Sequence, residues 1–190
     1  PFPAPAQGEY AIRSWQTEDG LPQSSVKAIA QTPDGYLWLA TFNGLARFDG
    51  VRFQSFSSGK FEAETHDIIG LFEDRRENLW IQLNTGLARF DSAEGRVLPV
   101  GLDGPVNIRT IFEDRSGRLW LDAKQGAYVS AGEAFHRLAG PGTILSVDED
   151  DRGMVVLDRE SGLWRGDASG LRLGPSWKAL GLSGVISAVR

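Results

Sequence analysis

Hydrophobic and polar residues alternate along short stretches of the chain, and turn residues separate these stretches. In the first such unit, Val26 and Ile29 are followed by a Thr-Pro-Asp-Gly turn and then by the alternating run YLWLATF. A period of two residues predicts β-strands with one buried face. The pair Asn43-Gly44 predicts a tight type I′ hairpin, in which both central residues have positive φ. No stretch shows the 3.6-residue period of an amphipathic helix, so we expect an all-β chain.

The same pattern recurs along the chain. Trp38, Trp80 and Trp120 each follow a leucine in matching stretches, and Val156 takes the corresponding place in a fourth copy. Each copy also has a glycine six residues after this position: Gly44, Gly86, Gly126 and Gly162. A repeat of about 40 residues that contains four short strands is typical of a β-propeller blade.

The repeat predicts the organisation of the chain. We expect four blades of four antiparallel strands, at residues 26–56, 68–100, 108–138 and 144–174. The Pro- and Ala-rich residues 1–9 predict a flexible N-terminus. Residues 10–15 match an outermost strand and residues 185–190 match a first strand, each without the rest of a blade. The fold class is therefore an all-β propeller, and the chain is interpreted as a fragment of a larger one.

Composition excludes several classes of function. The net charge is -5, and acidic and basic residues are interspersed, so no basic stripe is available for nucleic acid. The chain has no cysteine and two histidines, which argues against a thiolate or histidine-built metal site. It has neither a phosphate-binding loop nor a Gly-x-Ser-x-Gly motif. We therefore expect no catalytic residue, no metal and no cofactor.

Residues that recur at the same position of several blades are best interpreted as structural. Trp38, Trp80 and Trp120 are predicted to fill the gap between neighbouring sheets, and the four repeated glycines are predicted to lie in turns. Acidic pairs also recur, at Glu73-Asp74, Glu113-Asp114 and Glu149-Asp150. Because each pair follows a first strand, its aspartate is predicted to accept hydrogen bonds from the turn backbone.

A candidate ligand site follows from the strand order. If the first strand of each blade lines the central channel, the loops that enter this strand and the loops between the second and third strands open on one face, which we call the mouth. The candidate ligand-binding residues of the mouth are Gln23, Ser24, Asn43, His66, Asp67, Asn84, Asn107, Arg109, Lys124 and Gln125. These mostly neutral polar side chains suit the hydroxyl groups or the carboxylate of a small molecule.

Residues 18–56, EDGLPQSSVKAIAQTPDGYLWLATFNGLARFDGVRFQSF, resemble the two-component regulator propeller repeat. The resemblance extends with decreasing fidelity over residues 10–190. It implies a periplasmic, non-enzymatic sensor module of a histidine kinase, hybrid two-component regulator or diguanylate cyclase receptor. It also implies that a small molecule or oligosaccharide is the partner, and that the membrane is reached only through segments outside this chain.

Two alternatives remain open at this point. One is a propeller enzyme similar to streptogramin lyases, which have similar strands. The other is a scaffold for protein interactions. Unpaired sheet edges also predict self-association, because an exposed edge can pair with a second chain.

Overall fold

The predicted all-β fold with four-stranded antiparallel blades is confirmed. A computed structural model describes residues 12–56, 68–140, 142–167 and 170–181. These residues form four separate sheets, and within each sheet the strands are hydrogen-bonded in chain order. The sheets do not close into a ring within the described residues.

The strand bounds show how regularly the repeat folds. The first sheet contains β1 (Val26–Gln31), β2 (Leu37–Thr41), β3 (Gly44–Phe48) and β4 (Phe53–Phe56). The second contains β5 (Ile68–Glu73), β6 (Leu79–Leu83), β7 (Gly86–Asp91) and β8 (Arg96–Pro99). The third contains β9 (Ile108–Glu113), β10 (Leu119–Ala123), β11 (Gly126–Ala131) and β12 (Ala134–Arg137). The fourth contains β13 (Ile144–Asp150), β14 (Gly153–Asp158), β15 (Gly162–Asp167) and β16 (Gly170–Leu173), and one 3-10 turn, Thr17–Asp19, precedes β1.

The repeated tryptophans lie in the core between sheets. The Trp38 ring is 2% exposed and lies 4.5 Å from the Phe90 ring of the second sheet, measured between centroids. Trp80 makes an edge-to-face contact with Phe135 of the third sheet at 5.9 Å. Burial of an indole contributes several kcal/mol in rough terms, so these contacts are a major part of the cohesion between sheets.

Every first strand contains a β-bulge at its second residue. In each sheet the pairing between the first and second strands skips one residue. The residues skipped are Lys27, Ile69, Arg109 and Leu145. A bulge locally interrupts the ladder and redirects the side chain of the extra residue, so this position is distinct from the rest of the strand.

The predicted type I′ turn at Asn43-Gly44 is wrong by one residue. Thr41 pairs with Gly44, so the two loop residues are Phe42 and Asn43. Neither has positive φ, whereas Gly44 has φ 131°. The Thr41 hydroxyl donates a buried hydrogen bond of 2.8 Å to the Gly44 carbonyl, which fixes the glycine as the first residue of β3.

The predicted outer strand at 10–15 is not formed over its described part. Residues 12–15 have no strand structure, and residues 10 and 11 lie outside the described residues. Trp15 instead packs on the outer part of the first sheet, with ring centroids 5.1 Å from Phe48 and 6.4 Å from Phe53. The predicted N-terminus at 1–9 and the predicted strand at 185–190 also lie outside the described residues.

Candidate functional site

The predicted mouth lies at the end of the sheets that carries the loops between second and third strands. Of its ten candidate residues, His66 and Asp67 lie outside the described residues. The other eight lie in these loops, in the segments that lead into first strands, or, for Arg109, at the bulge of β9. The opposite end, which carries the turns between first and second strands, is called here the turn end.

Two of the candidate side-chain amides and the backbone carbonyl of a third candidate, Asn84, form one hydrogen-bonded group, called here the amide group. The Asn107 side chain donates to the Asn84 carbonyl at 2.9 Å, and its backbone N–H donates to Gln125 Oε1 at 3.1 Å. Gln125 Nε2 in turn lies 3.3 Å from Asn107 Oδ1 and from the Pro105 carbonyl. These bonds join loops of the second and third sheets, so the amide group couples the two sheets at the mouth.

Arg109 is anchored from behind by a buried carboxylate. Its Nη2 donates to Asp122 Oδ1 at 2.6 Å and to the Ala123 carbonyl at 3.3 Å. Asp122 is 8% exposed, whereas the Arg109 side chain is 40% exposed. Burial raises the pKa of Asp122, and the hydrogen bond from Arg109 offsets part of that rise. The pair therefore holds a guanidinium in a fixed position, with its charge towards solvent.

Two lysines add positive charge to the mouth. Lys124 follows β10 and is exposed, and its backbone N–H donates to the Asn107 carbonyl at 2.9 Å. Lys27 is the bulge residue of β1, and its Nζ lies 3.4 Å from the centroid of the Phe42 ring. Neither lysine forms an ion pair with a described residue. Sequence reasoning missed Lys27 because the bulge that sets its position depends on strand register.

The remaining candidates are not joined to this group by hydrogen bonds in the described structure. Ser24 and Asn43 are exposed, and Gln23 is half-buried. The Gln23 Oε1 atom is buried without a hydrogen-bond partner among the described residues. These three residues lie on the first sheet, whereas the amide group and Arg109 lie on the second and third.

At the turn end, the repeated aspartates bind the repeated tryptophans. Asp74 Oδ1 accepts hydrogen bonds from the turn backbone at Arg76 and Asn78, and its Oδ2 accepts the Trp80 indole N–H at 2.8 Å. Asp114 Oδ2 accepts the Trp120 indole N–H in the same way, at 2.9 Å. The sequence predicted the turn bonds but not the indole bonds, which require the aspartate and the tryptophan six residues later to lie side by side.

Asp114 shows how strongly these bonds act. It is fully buried, and Arg118 forms an ion pair with it at 2.7 Å. Burial raises the pKa of Asp114, but hydrogen bonds from Ser116, Trp120 and Arg118 outweigh this effect and lower the pKa to about 2. The aspartate is therefore a structural anion with its hydrogen-bonding capacity occupied, and it is not arranged as a general acid or base.

A second repeated contact links neighbouring turns. The Arg75 backbone N–H donates to Glu113 Oε2 at 2.9 Å, and the Arg115 N–H donates to Glu149 Oε2 at 2.8 Å. The first junction lacks this contact because Pro33, which has no N–H, occupies the place of Arg75 and Arg115 in its turn. Burial raises the pKa of Glu73 there, and the nearby carboxylates Glu77, Asp34 and Asp74 raise it further.

Three cavities of the described structure lie towards the outer strands and the turn end. One of about 230 Å³ lies between the first and second sheets, beside Trp38, Arg47 and Asn78. Two more, each of about 210 Å³, lie beside Trp80 and Arg89, where the second sheet meets the third. These cavities are a second location where a small molecule could bind, away from the mouth. No group of three or more described His, Cys, Asp or Glu side chains is placed to hold a metal ion.

Comparison with known proteins identifies the repeat. Residues 20–43 match the family described as two component regulator propeller. These residues are therefore similar to one repeat of that family. The matched residues run from the segment before β1 to the loop after β2, and thus include the first-sheet part of the mouth. A search of curated proteins found no match to the sequence.

Solved structures share the fold of this propeller chain. The extracellular domain of BT3049 from B. thetaiotaomicron, described as a hybrid two-component system, is 23% identical with a TM-score of 0.59, and the match covers 76% of this chain and 22% of that one. The extracellular domain of BT4673 from the same organism is 18% identical with a TM-score of 0.60, and the match covers 80% of this chain and 24% of that one. Virginiamycin B lyase from Staphylococcus aureus is 13% identical with a TM-score of 0.59, and the match covers 77% of this chain and 54% of that one.

The solved structures are longer than this chain. The chain spans about a quarter of the length of the receptor domains and about half that of the lyase. At these identities the similarity establishes the propeller fold, which hosts both receptors and an enzyme.

Proposed function

We propose that this chain is part of an extracytoplasmic, ligand-sensing propeller of a bacterial signal-transduction receptor, and that it binds a small molecule or oligosaccharide at the mouth. The observation that carries the proposal is the two-component regulator propeller repeat at residues 20–43. The fold shared with extracellular domains described as two-component systems supports it. The location proposed is the periplasm, and the output domain, a histidine kinase or diguanylate cyclase, lies outside this chain.

The geometry of the mouth suits such a role. Asn84, Asn107 and Gln125 join two sheets through hydrogen bonds at the place where a ligand would bind. A ligand that binds one relative angle of these sheets more tightly than another shifts the population towards that angle. No described segment forms a helix that is long and apolar enough to cross a membrane.

A thermal-shift screen against sugars, organic acids and amino acids tests this proposal. A ligand at 100 times its Kd stabilises the folded state by about 2.7 kcal/mol. For a chain of this size that corresponds to a rise in Tm of roughly 5–10 °C. Lys124→Ala should abolish the shift, whereas the matched change Lys178→Ala, at an exposed lysine beyond the fourth sheet, should leave it intact. Failure of every compound class to shift the Tm would contradict the small-molecule proposal and favour the protein-interaction scaffold.

A propeller enzyme is the second candidate function, because virginiamycin B lyase shares the fold with a TM-score of 0.59. Of the two histidines, His136 is exposed on the outermost strand β12, away from the mouth, and His66 lies outside the described residues. Incubation with virginiamycin B, followed by mass spectrometry, tests this candidate. A conversion that His66→Ala abolishes would support the enzyme, and an unchanged substrate would contradict it.

A further inference from the structure

The four bulges place two kinds of side chain at the same position of the four first strands. Lys27 and Arg109 occupy the bulge in the first and third sheets, and Ile69 and Leu145 occupy it in the second and fourth. Bulges often redirect a side chain next to a binding site. Both cationic residues are exposed, whereas the two apolar residues are half-buried. The bulge position thus alternates between a cation and an apolar surface.

Both cations keep hydrogen-bond donors that the described residues do not use. Arg109 uses only Nη2 for its bonds to Asp122 and Ala123, and neither Nε nor Nη1 donates a hydrogen bond to a described residue. The Lys27 ammonium is held by the uncharged Phe42 ring at 3.4 Å. At the turn end, in contrast, Arg118 contacts Asp114 through both Nε and Nη2, and Arg165 contacts Asp150 through both Nη1 and Nη2. The difference indicates that the turn-end arginines stabilise the fold, while the bulge cations keep donor capacity for another group.

We propose that the mouth recognises a small organic carboxylate, and that Lys27 and Arg109 are the residues that select its charge. This inference rests on the proposed function and specifies its ligand class. The guanidinium of Arg109 is held by a buried carboxylate in a fixed orientation, which suits directional bonds to a second carboxylate. Lys27 supplies a compact point charge, and the ring of Phe42 beneath it is 44% exposed and offers an apolar surface.

The apolar bulge residues favour an organic anion over inorganic phosphate or sulfate. A doubly charged, strongly hydrated oxyanion needs donors on every side, and Ile69 and Leu145 offer none at this position. A carboxylate on an organic skeleton satisfies both surfaces, because its charge meets the cations and its skeleton contacts the apolar side chains.

The test uses ligand pairs that differ only in the acidic group. Galacturonate is compared with galactose, and phenylacetate with 2-phenylethanol, and inorganic phosphate is measured in parallel. Isothermal titration calorimetry on the protein should show binding of one of the acids at least tenfold tighter than that of its neutral partner, with an affinity that falls as salt rises.

Two variants locate the charge selection. Lys27→Gln should weaken binding of the acid at least fivefold and reduce its preference over the neutral partner. Arg109→Gln alone would leave Asp122 buried without its cation, so the double variant Arg109→Gln/Asp122→Asn is used, with circular dichroism as the check of folding. The matched control is Arg52→Gln, which removes an exposed cation at the turn end of the first sheet.

The outcomes separate this inference from the proposed function. Equal binding of acids and neutral partners, phosphate binding as tight as that of the acids, or affinities unchanged by both bulge variants would overturn the carboxylate inference while leaving a ligand-binding mouth. Absence of binding by every compound, together with no shift in the broader thermal screen, would overturn both.

Discussion

The junction between the first and second sheets offers a direct test of how the sheets are held together. At the next two junctions an arginine N–H donates to a glutamate carboxylate, at 2.9 Å for Arg75 and 2.8 Å for Arg115. At the first junction Pro33 cannot make this bond, and the pKa of Glu73 is raised. Pro33→Arg should restore the contact, because Pro33 and Arg75 hold the same position of equivalent hydrogen-bonded turns.

The magnitude follows from the two intact junctions. A hydrogen bond to a charged group contributes about 1.5–3 kcal/mol. The guanidinium adds about 0.5 kcal/mol or less, since Arg75 and Arg115 are 59% and 63% exposed and lie 3.9 Å from their glutamates. Loss of proline costs about 0.4–1 kcal/mol through the entropy of the unfolded chain. The net expectation is a gain of about 1 kcal/mol in the free energy of unfolding at pH 7.

Urea unfolding at pH 7 measures this gain, and two further variants identify its source. Pro33→Ala restores the N–H without the guanidinium and should give most of the gain. Adding Glu73→Gln to Pro33→Arg should remove much of it. The raised pKa of Glu73 means that the native environment of the natural chain disfavours the charged form of this side chain. Because the restored contact needs a charged Glu73, the gain should be full above this raised pKa and should shrink as the pH falls through it. The reasoning is refuted if Pro33→Arg is no more stable than the natural chain at pH 7, or if its gain is unchanged in the Glu73→Gln background.

Further predictions concern other features of the repeat. Glu77 has φ 66°, a strained backbone conformation for a residue other than glycine, at a turn position where the first and third sheets have Gly35 and Gly117. Glu77→Gly should therefore raise the free energy of unfolding, measured in urea, by about 0.5–1 kcal/mol. A loss of stability would contradict this prediction. Asp114→Asn should lower the free energy of unfolding by about 1–3 kcal/mol at pH 7. Because the native pKa of Asp114 is lowered to about 2, the difference in stability between the two proteins should shrink as the pH falls from 3.8 towards 2. A constant difference across that range would contradict this prediction. Ile29 is 63% exposed, whereas the corresponding residues of the other sheets, Leu71, Ile111 and Val147, pack against the cores between sheets. Light scattering should therefore show self-association of the protein, and Ile29→Lys should reduce it. A monodisperse monomer would contradict this prediction.

The fold could be predicted from the sequence because the repeat supplies the same local signals in each copy. Alternation of apolar residues around Trp38, Trp80 and Trp120 indicates strands, and a glycine at a fixed distance indicates the next turn. The turn type at Asn43-Gly44 was wrong because it depends on strand register: Thr41 pairs with Gly44 and shifts the loop by one residue. Local sequence gives the presence of a turn more reliably than its exact register.

The candidate site was less predictable for the same reason. The loops of the mouth follow from strand order, but the Asn84, Asn107 and Gln125 group depends on contacts between sheets. Lys27 was missed because a bulge changes the direction of one side chain without a sequence signal of its own. The acidic pairs were interpreted correctly as turn residues, yet the indole bonds from Trp80 and Trp120 depend on side-chain geometry.

Hydrogen–deuterium exchange in the presence and absence of the compound that gives the largest thermal shift tests the ligand-sensing mouth most directly. We expect slower exchange at residues 103–110 and 122–126, which carry Asn107, Arg109, Lys124 and Gln125. Slower exchange confined to residues 74–78 and 114–118, beside the turn-end cavities, would place the ligand at the other end of the sheets and contradict the account.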